Sequence, residues 1–323
     1  MSGFVATGHK QATVVCHLPF AESIGRHMST AEPQDRTGEG VEQLPLTVYS
    51  AASPLRYPLQ LTGEILADVW RCRELIWILF TRDLKAQYRQ SYLGFVWIFV
   101  PIISTTLIWV FLNSMRVIKV ADTPIPYPAY VMIGSMIWGV FAASVNEPLT
   151  AFNAGRDVFT KLKVSPEIFI LSGVGRVVFD LMIRLLVLVP VFVVLKIIPA
   201  STAWLFPIGL GCTVLIGVSV GVLIIPIGSL YTDVNRMVAA ALPFGMYLAP
   251  VVYPPPTGGW AGTLVQWNPL TAVVVTTRDW LTLGHSSYAS AMVITAVLAL
   301  IALVLGLIIF RVVLPHLIER MGM

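Results

Sequence analysis

Three ionisable side chains stand four residues apart inside an otherwise apolar run: Arg176, Asp180 and Arg184. On a helix that spacing puts them on one face, where a cation, anion, cation ladder can form. A lone charge at the centre of a bilayer costs roughly 2.5 to 3.5 kcal/mol, so pairing is the expected state. Such a ladder can brace helices or meet an anionic group. Other chemistry-bearing arrangements are missing from the sequence. No D-x-D or H-x-x-x-x-D string offers a glycosyl- or acyltransferase its catalytic groups, and no His or Cys cluster has metal-ligand spacing. The T-V-G-Y-G filter of a potassium channel is absent, as is the G-x-x-x-x-G-K-[ST] loop that cradles nucleotide phosphates. The expectation is a protein that is not an enzyme, with no metal site and no cofactor bound by this chain.

The elements that must hold these residues are membrane helices. Of 323 residues, 56% are hydrophobic and only 12% charged, with a mean hydropathy of +0.80. The apolar residues form long runs, which excludes a soluble domain. Six runs are long enough to cross a hydrocarbon core of roughly 30 Å, near 91–114, 127–148, 170–198, 204–230, 235–253 and 288–313. Loop cations orient them. Arg56, Arg71, Arg73, Arg82, Lys85, Arg89, Arg156, Lys161, Lys163, Arg236, Arg311 and Arg320 fall on one side, and Arg116, Lys119, Lys196 and Arg278 on the other. The cation-rich side is retained in the cytoplasm, so both termini are expected there. The net charge of +4 is small and its cations flank the spans, which points to topology and contact with membrane lipids, and to no nucleic acid.

Residues 1–60 carry Pro19, Pro33, Pro45, Pro54 and Pro58 without an apolar period, and are expected to form a disordered cytoplasmic tail ahead of a membrane domain over 61–323. Over 64–88, a stripe of Ile65, Val69, Ile76, Phe80 and Leu84 predicts an interfacial helix, with Trp70 and Trp77 in the headgroup boundary and its cations on anionic lipid. The loop over 148–167 mixes charge with apolar anchors: Asn153, Arg156, Asp157, Phe159, Lys161 and Lys163. It fits equally a short helix that docks a cytosolic partner and a solvated loop obeying the charge rule. The segment over 254–287 is too apolar for a free loop. Its Trp260, Trp267 and Pro269 predict short re-entrant or interfacial helices over an outer mouth, with simple aromatic anchoring as the plainer reading.

Four separated strings resemble the permease subunits of ABC transporters that export polysaccharides. They are RDLKAQYRQSYLGFVWIFVP at 82–101, GSMIWGVF at 134–141, KLKVSPE at 161–167, and DVNRMVAAALPFGMYLAPVVYP with WNPLTAVVVTTRDWL within 233–281. Together they cover nearly everything after residue 64. Ala249 stands where that family usually has Ser before the proline, and Ser165 where it usually has an aromatic residue. The resemblance implies an all-α integral membrane fold of six transmembrane helices, with an N-terminal interfacial amphipathic helix, a cytoplasmic coupling helix near 153–163 and a pair of outer gate helices. It implies a homodimer that forms the channel in the inner membrane and binds two copies of a separate ATP-binding subunit, where ATP and Mg reside. The implied substrate is a lipid-linked polysaccharide moved outward, with O-antigen or a related envelope glycan foremost and capsule and teichoic acid not separated from it. An ABC exporter of a lipid or drug would share the topology and is the alternative.

A path for a polymer needs weak, interchangeable contacts, which aromatic faces offer to the C–H faces of sugars. Tyr92, Phe95 and Phe99 recur on one face of the first span, and Phe244 and Tyr247 lie on the fifth. These five are the expected lining, against the plainer reading of lipid-facing or packing aromatics. Arg89 and Arg176 are the cations best placed to meet the pyrophosphate of a lipid-linked substrate at the inner entrance.

Overall fold

A computed structural model of the chain describes residues 70, 72–89, 97, 99–117, 121–156, 158, 166–256 and 258–321. All of them belong to one unit, Tyr57–Met323. The expected tail over 1–60 lies outside the described residues, as do Tyr92, Phe95, Asp157, Phe159, Lys161 and Lys163. Among the described residues every regular element is helical. In order these are α1 (Arg73–Arg89), α2 (Val100–Ser114), α3 (Tyr127–Ala154), α4 (Glu167–Val194), a 3-10 turn (Ala203–Leu205) that leads into α5 (Phe206–Gly228), α6 (Thr232–Leu248), α7 (Gly259–Trp267), α8 (Pro269–Thr282) and α9 (Ala289–Met321).

Four of these segments are long and apolar enough to cross a bilayer: Tyr127–Ala154, Glu167–Val194, Ala203–Gly228 and Ala289–Leu317. They correspond to the second, third, fourth and sixth expected spans. The other two expected spans are shorter as helices. Helix α2 has 15 residues and α6 has 17, or about 22 and 26 Å at the helical rise, each less than a hydrocarbon core. Beyond α6, the chain continues through 249–253 without helix.

Proline marks the helices in two ways. At the start of α2, α3, α5 and α8 it occupies the first turn, where its missing N–H has no helical partner to lose. Inside α3, α4, α5, α6 and α9 stand Pro148, Pro190, Pro226, Pro243 and Pro315, positions that a membrane helix tolerates when neighbours satisfy the freed carbonyl. Helix α3 therefore runs on through Pro148 to Ala154, six residues past the expected end of that span.

Helices α3, α4, α5 and α9 pack into a block. Small residues let α3 and α5 approach closely: a Cβ on Gly217 would meet the Ser144 side chain and the Phe141 carbonyl, and one on Gly221 would meet the carbonyl of Val145. Helix α5 is also fastened to α9, because the Ser219 hydroxyl donates to the Ala299 carbonyl at 2.8 Å. Two apolar clusters fill the block. One contains Trp138, Phe141, Phe192, Phe206 and Met292, and the other Leu79, Phe152, Phe169 and Phe310.

Helix α1 lies across the second cluster. Leu79 is buried, Phe80 meets Phe179 edge-on at 6.2 Å, and Phe80 also seats against Gly175 of α4. This revises the expected role of the α1 stripe. Ile76 and Phe80 pack on protein, and the face left open is a different one, carrying Trp77 and Ile78, while Trp70 ahead of the helix is also exposed.

Candidate functional site

Non-helical backbone at membrane depth requires a partner for every exposed carbonyl. The bend that ends α6 satisfies this requirement one residue at a time. The Tyr247 carbonyl accepts from the Tyr253 hydroxyl at 3.0 Å, and the Leu248 carbonyl accepts from the Asn268 side-chain amide at 3.1 Å. Val251 N–H donates to the Ala249 carbonyl at 2.7 Å, closing a tight turn around Pro250. The carbonyls of Pro250 and Val251 both accept from Arg278 Nη1 at 3.3 Å. Those of Val252 and Tyr253 accept from the hydroxyls of Tyr127 and Tyr130, each at 3.1 Å. Seven consecutive carbonyls are thus satisfied, five of them by side chains outside the bend. Ala249, Val251 and Val252 are fully buried, and Gly134 of α3 leaves room for the Val251 carbonyl that a Cβ would obstruct.

Arg278 is the centre of this arrangement. It is 2% exposed, its guanidinium carbon lies 3.7 Å from the centroid of the Tyr130 ring, and its Nε has no hydrogen-bond partner. Beside it, burial pushes the Asp279 carboxyl above the ordinary carboxylate range, while the Arg278 guanidinium and the Ser286 hydroxyl pull it back. Helix α8, which carries both residues, is anchored at each end. Asn268 caps its start by accepting from Leu270 N–H at 3.0 Å, ahead of Pro269 at the first helical position. At the other end, Thr202 donates to the Trp280 carbonyl at 2.8 Å, and Ala200 N–H to that of Leu281 at 3.0 Å. Residues Thr271 to Arg278 are all buried, so α8 is a helix sunk among α3, α5 and α9.

Helix α7 differs from α8 in exposure. Trp260 and Trp267 are more than four-fifths exposed, and with Leu248, Leu264 and Pro269 they line an open apolar groove of about 720 Å³. Phe244 and Tyr247 of α6 are also exposed. Tyr247 meets Trp109 of α2, ring centroids 6.0 Å apart, a neighbour that the spacing of the sequence did not identify. Phe99 is half-buried at the start of α2, and its carbonyl accepts from Ile103 N–H at 2.8 Å.

Each of three charge pairs includes a residue of α4. Arg184 Nε lies 2.6 Å from Asp180 Oδ2, with the guanidinium seated over Gly139 of α3. Arg176 does not continue that ladder. Its Nε lies 3.2 Å from Glu147 Oε2 of α3, and its Nη2 donates to the Glu147 carbonyl at 3.4 Å. The helical spacing is real, but a carboxylate on the neighbouring helix competes successfully for the first arginine. A third pair joins Arg311 Nε of α9 to Glu167 Oε1 at 2.7 Å, across 144 residues. Glu167 opens α4 directly after the charged loop. In that loop, Asn153 occupies the last turn of α3 and is half-buried, as is Arg156. Arg89 is the last residue of α1.

This architecture can be compared with known proteins. The sequence matches the profile of the ABC-2 type transporter family over residues 74–281, well over half of the chain. The chain belongs to the ABC-2 type transporter family. As an ABC-2 transporter chain with several apolar helices, it is a multi-pass membrane protein. It is similar to the O-antigen export system permease protein RfbA of Myxococcus xanthus, 26% identical over 59% of this chain and 72% of that one. A protein of the same name from Klebsiella pneumoniae is 24% identical over 74% of this chain and 91% of the relative. The polysialic acid transport protein KpsM of Escherichia coli is 20% identical over 72% and 91%. The family match begins in α1 and ends in α8, so it includes the bend and both short helices of this ABC-2 transporter chain.

Proposed function

We propose that this chain is the permease subunit of an ATP-driven exporter that moves a lipid-linked polysaccharide, O-antigen or a related envelope glycan, outward across the cytoplasmic membrane. The observation that carries the reading is similarity over most of the length of three permeases whose names specify O-antigen export or polysialic acid transport. Two copies form the channel and bind two copies of a separate ATP-binding subunit, which holds ATP and Mg. In this reading six spans cross the membrane, α2 and α6 with its bend being the first and fifth, and the α1 end of the block faces the cytoplasm with both termini.

The residues then take the following roles. Phe99 with Tyr92 and Phe95 on the first span, and Phe244 with Tyr247 on the fifth, present aromatic faces to the sliding polymer; the exposure of Phe244 and Tyr247 and the meeting of Tyr247 with Trp109 support this. Asn153, Arg156, Asp157, Phe159, Lys161 and Lys163 form the surface that meets the ATP-binding subunit. Trp260, Trp267 and Pro269 belong to the outer gate, in keeping with the exposed groove they line. Arg89 meets the substrate's pyrophosphate at the inner entrance. Arg176 joins it when the pyrophosphate displaces Glu147.

The experiment is complementation. A strain lacking its O-antigen export permease receives this chain together with the ATP-binding subunit encoded beside it, and surface polymer is measured. Restored polymer, lost again on Phe244→Ala with Tyr247→Ala at unchanged abundance, is the expected result. Lipid-linked polymer that accumulates inside a cell containing both subunits at normal abundance would refute the assignment. Crosslinking from Phe159 or Lys161 that never reaches the ATP-binding subunit would separately undo the coupling role.

A further inference from the structure

We infer that Arg278 is a positioning residue that pins the bend at 249–253 to the helical block, so that the bend serves as the pivot about which α6 moves. The inference deepens the transporter reading by naming the mechanical joint, and it rests on that reading for the purpose of the motion.

The contacts on the two sides of the joint differ in kind. On the block side, each holder is itself held. Tyr127 and Tyr130 stand in the first turn of α3, and Arg278 projects from α8, which is buried among α3, α5 and α9 and tied at both ends. On the other side, α6 contains no buried residue along its length. Its seating on the block includes Trp138 against Gly245, a contact that a rolling or tilting helix can trade for another. The two backbone carbonyls in the grip of Arg278 belong to Pro250 and Val251, immediately beyond the last turn of α6. Rotation of α6 therefore has a fixed end, and the fixed end lies at a turn around proline where the helical hydrogen-bond ladder has already stopped.

The choice of arginine fits this role. A single nitrogen, Nη1, reaches two successive carbonyls while the flat guanidinium face stacks on Tyr130, a face that a lysine ammonium lacks. The second arginine property that matters is permanent charge. With no carboxylate at ion-pair distance among the described residues, Arg278 is stabilised by the carbonyl dipoles of the bend, the Tyr130 ring and the neighbouring Asp279, and it loses the two carbonyls if the bend leaves. That cost holds the joint closed while α6 swings.

The test uses full-length chain lacking Cys16, Cys72 and Cys212, spin-labelled in pairs, diluted with unlabelled chain and held in lipid nanodiscs. One pair, Ala240→Cys with Leu298→Cys, reports α6 against the block, and a second, Ile208→Cys with Leu298→Cys, reports the block alone. Arg278→Met is expected to broaden and shift the first distance distribution and to leave the second unchanged. Arg278→Lys should broaden the first less, and Tyr130→Phe, which keeps the ring and loses one hydroxyl contact, less again. An unchanged first distribution in Arg278→Met overturns the pivot. So does equal broadening of both pairs, which would make Arg278 a general core residue. Neither result depends on the polymer, so a wrong substrate assignment would leave this measurement intact.

Discussion

The Glu167–Arg311 pair offers the sharpest single test of how the α4 and α9 ends are joined. The two side chains are 9% and 16% exposed and approach to 2.7 Å. At an effective dielectric near 20 their gross attraction is about 6 kcal/mol, most of it offset by the loss of hydration. The net value of the pair is therefore small, but the cost of breaking it is not, because Glu167→Gln takes a close carboxylate away from a largely buried guanidinium. That cost is about 3 to 5 kcal/mol for a buried pair, a hundredfold or more in the folded to unfolded ratio. Both residues make further contacts, so restoration by a reciprocal change is expected to be partial. The assay is unfolding in mixed micelles by graded addition of dodecyl sulfate, with Glu167→Gln, Arg311→Gln, the single reversals Glu167→Arg and Arg311→Glu, and the exchanged variant that combines both reversals. Each single change should shift the midpoint downward, and the exchanged variant should recover a substantial part of the loss. A Glu167→Gln effect within about 0.5 kcal/mol, or an exchanged variant no better than the sum of two single charge reversals, would refute the argument.

Four other outcomes follow from the same physical chemistry. Asp180→Asn should lower the abundance of the chain in membranes because it strands Arg184 against Gly139, whereas replacing both Asp180 and Arg184 with Leu should restore most of it; immunoblots of membrane fractions measure both. Asn268→Ala removes the α8 cap and the partner of the Leu248 carbonyl, and a midpoint loss of about 1 to 3 kcal/mol is expected in the same micelle titration. Gly217→Leu should force α3 from α5, costing about 1 to 3 kcal/mol or preventing insertion altogether, while the same change at Gly211, where a Cβ meets nothing, should be tolerated. Trp260→Ala with Trp267→Ala should leave stability within about 0.5 kcal/mol, since both rings are exposed, and should reduce polymer at the cell surface.

Much of the helical plan was legible because long apolar runs have few alternatives. The runs near 127, 170, 204 and 288 became helices within a few residues at their starts. The ends were harder. Pro148 looked like a boundary, yet α3 passes through it, since in lipid a neighbouring helix can satisfy what proline removes. Apolar periodicity along α1 identified Ile76 and Phe80, but it cannot distinguish a face that meets lipid from one that meets α4. The arginine ladder failed at Arg176 for a similar reason, because spacing within one helix contains nothing about Glu147 on another. By sequence position alone Arg278 falls among the loop cations of the outer side. Its partners are backbone carbonyls, which every residue possesses, so no residue type announces them. The one available signal was local: Asn268 followed by Pro269 marks a helix start, and Tyr127 and Tyr130 lie in the first turn of a helix whose own start is marked by Pro128.

The open exposure of α6 has a thermodynamic consequence. A helix of 17 residues, none fully buried, that rests on the core through Val238, Leu242 and Met246 alone among its aliphatic side chains draws less order from intramolecular packing than the helices of the block. Its free energy is set by what surrounds it, whether acyl chains, headgroups or another protein surface. The chain thus has two separable stabilities, one intrinsic to the packed helices and one lent to α6 by its environment. Acyl-chain length and bilayer composition then act as structural variables in their own right, able to reposition this helix while the rest of the molecule stays folded.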